Sequence, residues 1–294
     1  MTRIIETLDE IAGDYDTLFC DLWGCLHDGI RPFPAAVAAL RAFRARGGAV
    51  MLLTNSPRPR PAVRGQLERM GVPADAWDDI TSSGDAAQAA LIEGAVGHRV
   101  HHIGPAAHHG FFTDMARDLT AEAARLEPVH IVPLAEAEGI VCTGPVDDMV
   151  ETPEDYRDQL ELARDRGLKL LCANPDIMVD HGGKRIWCAG GIAQLYEVLG
   201  GESLYFGKPH APIYDLARRR LAAAGHPGQR ILAVGDGIGT DILGAAGEGI
   251  DALLVSGGLA AAETGTLEQP DPALLSAWLD RAGLDPRWTI GFLR

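Results

Sequence analysis

Continuous apolar runs alternate along this chain with stretches whose apolar residues recur at helical spacing. Thr17 to Asp21, Ala49 to Thr54, Leu204 to Gly207, Arg230 to Gly235 and Ile250 to Val255 read as strands. They are apolar throughout rather than alternating, as strands covered on both faces are. Helical patterns follow at Ala35 to Arg46, near Arg60 to Met70, at Ala211 to Ala224 and from near Thr240. Buried strands joined by helices predict an α/β fold with a doubly wound parallel sheet.

The middle of the chain repeats this alternation on its own. Arg99 to Ile103, Gly139 to Thr143 and Leu168 to Cys172 read as strands. The helix before the last of them has a clear start, with Thr152 as N-cap, Pro153 in the first turn and Asp155 three residues past the cap. The pattern predicts a second α/β domain inserted into the first. The core is then residues 1–84 and 189–294, and the inserted domain is residues 85–188. The crossings fall near Ser82 to Asp85 and near Cys188 to Gly191.

Composition narrows the class. A chain of 294 residues that is 47% hydrophobic and 23% charged is long enough for two domains with proper cores. No apolar run has the length of a membrane span, and Met1 to Glu6 lacks the features of a signal peptide. A cytoplasmic protein without a membrane partner is expected. The net charge of −15 argues against nucleic acid as a partner. An anionic substrate remains compatible, because a bound divalent cation reverses the local field. The five cysteines, Cys20, Cys25, Cys142, Cys172 and Cys188, show no Cys-x-x-Cys spacing and sit mostly in apolar runs. Reduced, buried thiols are expected.

Asp21, Thr54, Lys208 and Asp236 each follow a predicted strand at its carboxyl end, the ligand-binding edge of an open parallel sheet. Each type suits phosphoryl transfer. A carboxylate can attack phosphorus. A threonine hydroxyl can hold phosphoryl oxygens, and a lysine offsets their charge. Further carboxylates can hold Mg²⁺. Gly235-Asp236-Gly237-Ile238-Gly239-Thr240-Asp241 offers two of these on a glycine-rich turn.

In this order the motifs resemble those of the haloacid dehalogenase superfamily over nearly the whole chain. Asp21 falls on the nucleophile of motif I and Thr54, in Leu52-Leu53-Thr54-Asn55-Ser56, on motif II. Lys208, in Phe206-Gly207-Lys208-Pro209, falls on motif III, and Asp236 and Asp241 on motif IV. The insertion between motifs II and III, Ala173-Asn174-Pro175-Asp176 and Ala189-Gly190-Gly191 are similar to class IIA members. That branch includes 4-nitrophenyl phosphatases, pyridoxal phosphate phosphatases and nucleotide monophosphatases. The resemblance implies a Mg²⁺-dependent hydrolase of a phosphorylated small molecule, acting through an aspartyl-phosphate under an inserted cap. It implies Asp21, Asp236, Asp241 and the carbonyl of residue 23 as metal ligands. Asn55, Asn174, Asp176 and His27 are the expected substrate contacts, and a homodimer through the cap is a further expectation.

One position departs from the pattern. The family's phosphatases carry a second aspartate two residues after the nucleophile, and here that residue is Trp23. Trp23 keeps a backbone carbonyl for a metal, but its indole is no acid or base at neutral pH. Losing a positioned general acid or base costs ~10²- to 10⁴-fold in rate. His27 is the nearest substitute by sequence. Three readings compete: a phosphatase of narrow scope, a binding protein for a phosphorylated ligand with little turnover, and an enzyme similar to the 2-haloacid dehalogenases. The last have an aromatic Tyr at this position but use no Mg²⁺, and the inserted cap is of a different kind. The phosphatase ranks first, the binding protein second and the dehalogenase third.

Other groups have plainer readings. His98, His101, His102, His108 and His109 lack the helical pairing of a zinc hydrolase and are expected at a strand end and loop. Asp28, Arg58 and Arg60 are expected to be solvated. No Gly-x-Ser-x-Gly elbow or Walker-type loop is present.

Overall fold

A computed structural model describes residues 2–181, 184–226 and 228–294. The first part of the chain runs β1 (Arg3–Ile4), β2 (Thr17–Cys20), α1 (Pro34–Ala45), β3 (Ala49–Thr54), α2 (Arg60–Met70), β4 (Asp79–Ser82) and α3 (Ser83–Ile92). Next come β5 (Arg99–Ile103), α4 (Gly110–Thr113), α5 (Arg117–Ala123), β6 (His130–Ile131), β7 (Gly139–Cys142), α6 (Arg157–Asp165) and β8 (Lys169–Cys172). The last part holds β9 (Met178–His181), β10 (Lys184–Trp187), α7 (Ala189–Val198), β11 (Glu202–Tyr205) and α8 (Ala211–Ala223). It closes with β12 (Ile231–Gly235), α9 (Leu243–Gly247), β13 (Asp251–Val255), α10 (Pro272–Ala282) and β14 (Trp288–Ile290).

The chain divides into two compact units. The first holds Met1–Thr54, Gln66–Thr81 and Tyr214–Arg294, and the second Asn55–Gly65 and Ser82–Ile213. The first is built on a seven-stranded sheet in the order β1-β14-β13-β12-β2-β3-β4. β2 lies between β12 and β3 and is parallel to both. Its four residues are all buried, as the unbroken apolar run requires. Ala233, Ala252, Leu254, Leu275 and Leu279 form one of this unit's apolar clusters. α10 starts where Asp271 accepts from the backbone N–H groups of Ala273 and Leu274 and ends at Gly283 in the left-handed region.

The second unit has a five-stranded sheet in the order β11-β8-β7-β5-β6, parallel throughout. Alternate residues of its strands bury on opposite faces. Ile140, Cys142, Leu170 and Cys172 pack with α6 and α7 residues Leu160, Ile192 and Tyr196. Val141, Leu171 and Ala173 pack with Ala87, Leu91 and Phe111. Covering both faces is what a parallel sheet needs, and each fully buried leucine contributes about 1.5–3 kcal/mol. The expected Thr152–Asp155 capping box is present.

The borders differ from those expected at 84/85 and 188/189. β11, expected beside the other core strands, pairs with β8, Leu204 facing Leu171 in register. α7 packs its Ile192, Ala193 and Tyr196 onto the same sheet. The second unit therefore runs on to Ile213 instead of ending near Cys188. The antiparallel pairing of β9 with β10 and the short strands β1, β4, β6 and β14 were not expected. β1, β6 and β14 are only two or three residues long, too short to show a period. Among the described residues no helix is long and apolar enough to cross a membrane.

All five cysteines are free and buried. Burial pushes the Cys142 thiol up to about 12 and raises those of Cys25, Cys172 and Cys188 as well. A chromogenic disulfide reagent should therefore titrate almost none of the five thiols in the native protein and all five after denaturation.

Candidate active site

The first unit's site begins with strand register. Cys20 lies beside Leu52 of β3 and Val234 of β12. The Asp21 N–H continues the ladder by donating to Val234 O at 2.8 Å. Three adjacent parallel strands thus end together, and Asp21, Thr54 and Asp236 leave the sheet at its carboxyl edge. All three are buried, with Asp21 9%, Thr54 3% and Asp236 6% exposed.

Beyond Asp21 the chain turns tightly. Leu26 and His27 both donate backbone N–H groups to Leu22 O, at 2.8 and 3.0 Å, and Gly24 N–H donates to His27 O at 3.0 Å. Gly24 has φ +70°, and a Cβ on it would overlap the Asp236 carboxylate. A Cβ on Gly258 would overlap the same carboxylate from another segment. Asp236 thus lies in a cradle that two glycines leave open, with Oδ2 accepting from Leu259 N–H at 3.0 Å.

Potential ligand atoms of Asp21, Asp236 and Cys25 lie within 4.8 Å of one another, the one such group found among the described residues. Two buried carboxylates this close repel each other strongly unless a cation sits with them. Their charge is felt by Cys25, whose thiol is raised by burial first and then by Asp236 and Asp21. The thiol stays protonated, so the hard oxygen donors are the fitting ligands for Mg²⁺. Cradle and donor set both suit such an ion. Asp241, also buried, lies outside this group. Its Oδ2 accepts from Gly237 N–H at 3.2 Å, and its side chain covers the face where Gly235 has no Cβ.

Trp23 is half-buried and packs within its own loop. Its six-membered ring lies against Gly29, where a Cβ would overlap Cη2, and its edge-on contact with His27 spans 5.5 Å between ring centroids. His27, expected as a substrate contact and substitute acid or base, is 1% exposed. Its Nδ1 accepts from Gly29 N–H at 3.0 Å, which leaves the neutral ring's proton on Nε2. The pair organises the loop. Asp28 does the same at the tip, where Oδ1 accepts from Ile30 and Arg31 N–H groups that lower its pKa.

The second unit contains the remaining expected residues, Asn55, Asn174, Asp176 and Lys208. Asn55 Nδ2 donates to Asp176 Oδ1 at 2.8 Å and to Lys208 O at 3.0 Å, while its Oδ1 accepts from Lys208 N–H at 2.7 Å. Asn174 Oδ1 accepts from Asp176 N–H at 3.0 Å, closing the Asn-Pro-Asp turn after β8. Lys208 is 2% exposed. Arg60, expected to be solvated, pairs with Asp118 at 2.9 Å.

The histidines form a network. His102 Nε2 and His108 Nδ1 meet Thr143 Oγ1 at 2.9 and 3.2 Å, and His101 lies between Val132 O and Gln159. Burial, then neighbouring His109, lowers His102 to about 4. Burial, then Arg58, lowers His108. A folded-state pKa below the unfolded one gives stability that is full above 6.5 and lost as pH falls toward 4. Thermal unfolding of wild type and His102→Gln should therefore differ in pH dependence across that window, the wild type losing more.

Comparison with known proteins adds the family context. The profile described as haloacid dehalogenase-like hydrolase matches residues 18–116, and one described as HAD-hydrolase-like matches residues 205–282. A haloacid dehalogenase-like hydrolase from Brucella suis is similar in structure, with 41% identity and a TM-score of 0.83 over 99% of this chain and 100% of that one. The p-nitrophenyl phosphatase of Archaeoglobus fulgidus shares the fold at 23% identity and a TM-score of 0.70, over 95% and 97% of the two chains. D-glycerol 3-phosphate phosphatase of Mycobacterium tuberculosis is 28% identical over 269 residues, 90% of this chain and 69% of that protein.

The cradle makes a test of the cation site independent of turnover. Gly258 is not in the left-handed region, so Gly258→Ala should keep the backbone and displace the Asp236 carboxylate. Calorimetric titration with Mg²⁺ should show affinity at least about tenfold weaker than wild type, as disturbing the support of a metal ligand does.

Proposed function

This chain belongs to the haloacid dehalogenase-like hydrolase family, and we propose that it is a Mg²⁺-dependent phosphatase of a phosphorylated small molecule. The observation that carries the proposal is the pairing of buried Asp21 with buried Asp236 at the carboxyl ends of adjacent parallel strands. Hydrolysis of a phosphorylated small molecule is supported by the similarity to a D-glycerol 3-phosphate phosphatase.

In this reading a carboxylate oxygen of Asp21 forms a bond to phosphorus as the ester P–O bond breaks, and the alcohol oxygen leaves with the electron pair. Water then attacks the aspartyl-phosphate, releasing phosphate and restoring Asp21. Thr54 would hold phosphoryl oxygens, and Lys208 would be the cation that offsets their charge. Asp21, Asp236 and Asp241 with the Trp23 carbonyl would hold Mg²⁺, which when bound supplies Lewis acidity at the transferring group.

Trp23 shapes the chemistry that remains. It offers no proton, so the leaving oxygen draws its proton from water. Aryl phosphates, whose leaving groups are stable as anions, suffer little from this, whereas alkyl phosphates suffer most. The same residue favours a second reading, a protein that binds a phosphorylated ligand and turns it over slowly.

Asp21→Asn should abolish phosphate release while leaving the circular dichroism spectrum unchanged; retained activity removes Asp21 from the reaction. Trp23→Asp should raise kcat on glycerol phosphate far more than on p-nitrophenyl phosphate. Restoring an acid or base is worth ~10²- to 10⁴-fold where the leaving group needs it. Equal gains on both, or none, would overturn the assignment of the missing proton donor. Mg²⁺-dependent ligand binding without release of phosphate would favour the binding protein.

A further inference from the structure

Lysine is rare in this chain. Only Lys169, Lys184 and Lys208 occur, against 23 arginines among the 26 basic residues. Lys208 is also buried to 2% exposure. Lysine carries its charge on a flexible four-carbon stem, so fixing its backbone limits where that charge can reach.

Asn55 supplies such a hold. Its primary amide pairs with both backbone polar groups of Lys208, accepting from the N–H at 2.7 Å and donating to the C=O at 3.0 Å. The second Nδ2 hydrogen goes to Asp176 Oδ1 at 2.8 Å. Both donors of the amide are therefore engaged, and its orientation is set chemically. Turning it over would put the NH₂ against an N–H and the oxygen against two acceptors. The residue before Lys208 is equally confined. A Cβ on Gly207 would stand 2.5 Å from Ser83 Oγ, 2.6 Å from Asn55 Oδ1 and 2.7 Å from Pro175 Cδ. Three segments remote in sequence thus converge on one peptide.

We propose that Asn55 is a positioning residue for Lys208, acting through that lysine's backbone, with the Asn174-Pro175-Asp176 turn bracing Asn55 from behind. The single-residue step from the sheet end at Thr54 to Asn55 places the clamp directly after the strand. The catalytic consequence rests on the phosphatase reading above; the clamp itself does not.

The test uses full-length protein labelled with [ε-¹³C]lysine, whose three lysine signals are assigned by single Lys→Arg variants. Lys169, paired with Glu202 at 2.7 Å, serves as the internal reference. Asn55→Ala should shift the Lys208 signal and its titration midpoint while the Lys169 signal stays in place. It should lower kcat at least tenfold, and adding Asn55→Ala to Lys208→Ala should cost nothing further. Asn55→Asp preserves size and the acceptor for Lys208 N–H but turns an oxygen toward two acceptors. It should give the same shift, and it replaces the alanine variant if that does not fold. An unmoved Lys208 signal in the folded variant, or losses that multiply in the double variant, would overturn the proposal. If the wild type hydrolyses no phosphate ester, the phosphatase reading fails and the lysine spectra still decide the clamp.

Discussion

The first unit depends on holding two carboxylates in a place that expels water. Asp21 and Asp236 lie at the ends of neighbouring strands because β2 and β12 are parallel and in register, Cys20 beside Val234. Parallel pairing sends both chains out on the same side of the sheet. Like charges in a low-dielectric setting repel, so the surroundings must compensate. They do so with Leu259 N–H on Asp236 and with glycines at 24 and 258, which admit the carboxylate where any side chain would exclude it. In the proposed phosphatase a divalent cation would complete the balance. The glycine-rich character of these turns is thus a requirement of the charge they surround.

The second unit answers a different constraint, the burial of a lysine. Lys208 is fixed by amide pairing from Asn55, itself tied to Asp176. Burying polar groups is tolerable only when their hydrogen bonds are made, and here one primary amide meets three partners. The segment after β3 and the turn after β8 belong to the same unit as Lys208. The border after Thr54 therefore falls between two polar residues with unlike duties, one at the end of a sheet and one in a clamp.

Trp23 occupies the position two residues after Asp21 as a packed aromatic. It packs on Gly29 and against His27 inside its own loop, so the aromatic is part of the loop's construction. His27 is buried there with Nδ1 already accepting from Gly29. The loop that follows the nucleophile is accordingly organised by aromatic contact, where a carboxylate would have offered a proton. In the proposed phosphatase, such a loop would favour substrates whose leaving groups need little help.

Much of this was legible in the chain itself. Apolar runs ending in Asp21, Thr54 and Asp236 disclosed buried parallel strands and the edge where chemistry gathers, since local periodicity records local burial. The replacement at Trp23 is a matter of residue identity and needed no coordinates. Other features lay beyond local pattern. An apolar run announces a strand but not its neighbour, and β11 joins β8 through pairing that local pattern does not record. Strands as short as β1 and β14 have no period to read. Asn55 is expected from sequence as a substrate contact, and nothing near it in the chain reveals its bonds to Lys208, 153 residues on. Sequence determined which groups are present and that several reach sheet edges. Tertiary structure alone decided which of them are occupied by each other, because hydrogen-bond saturation and burial depend on segments that meet only when the chain folds.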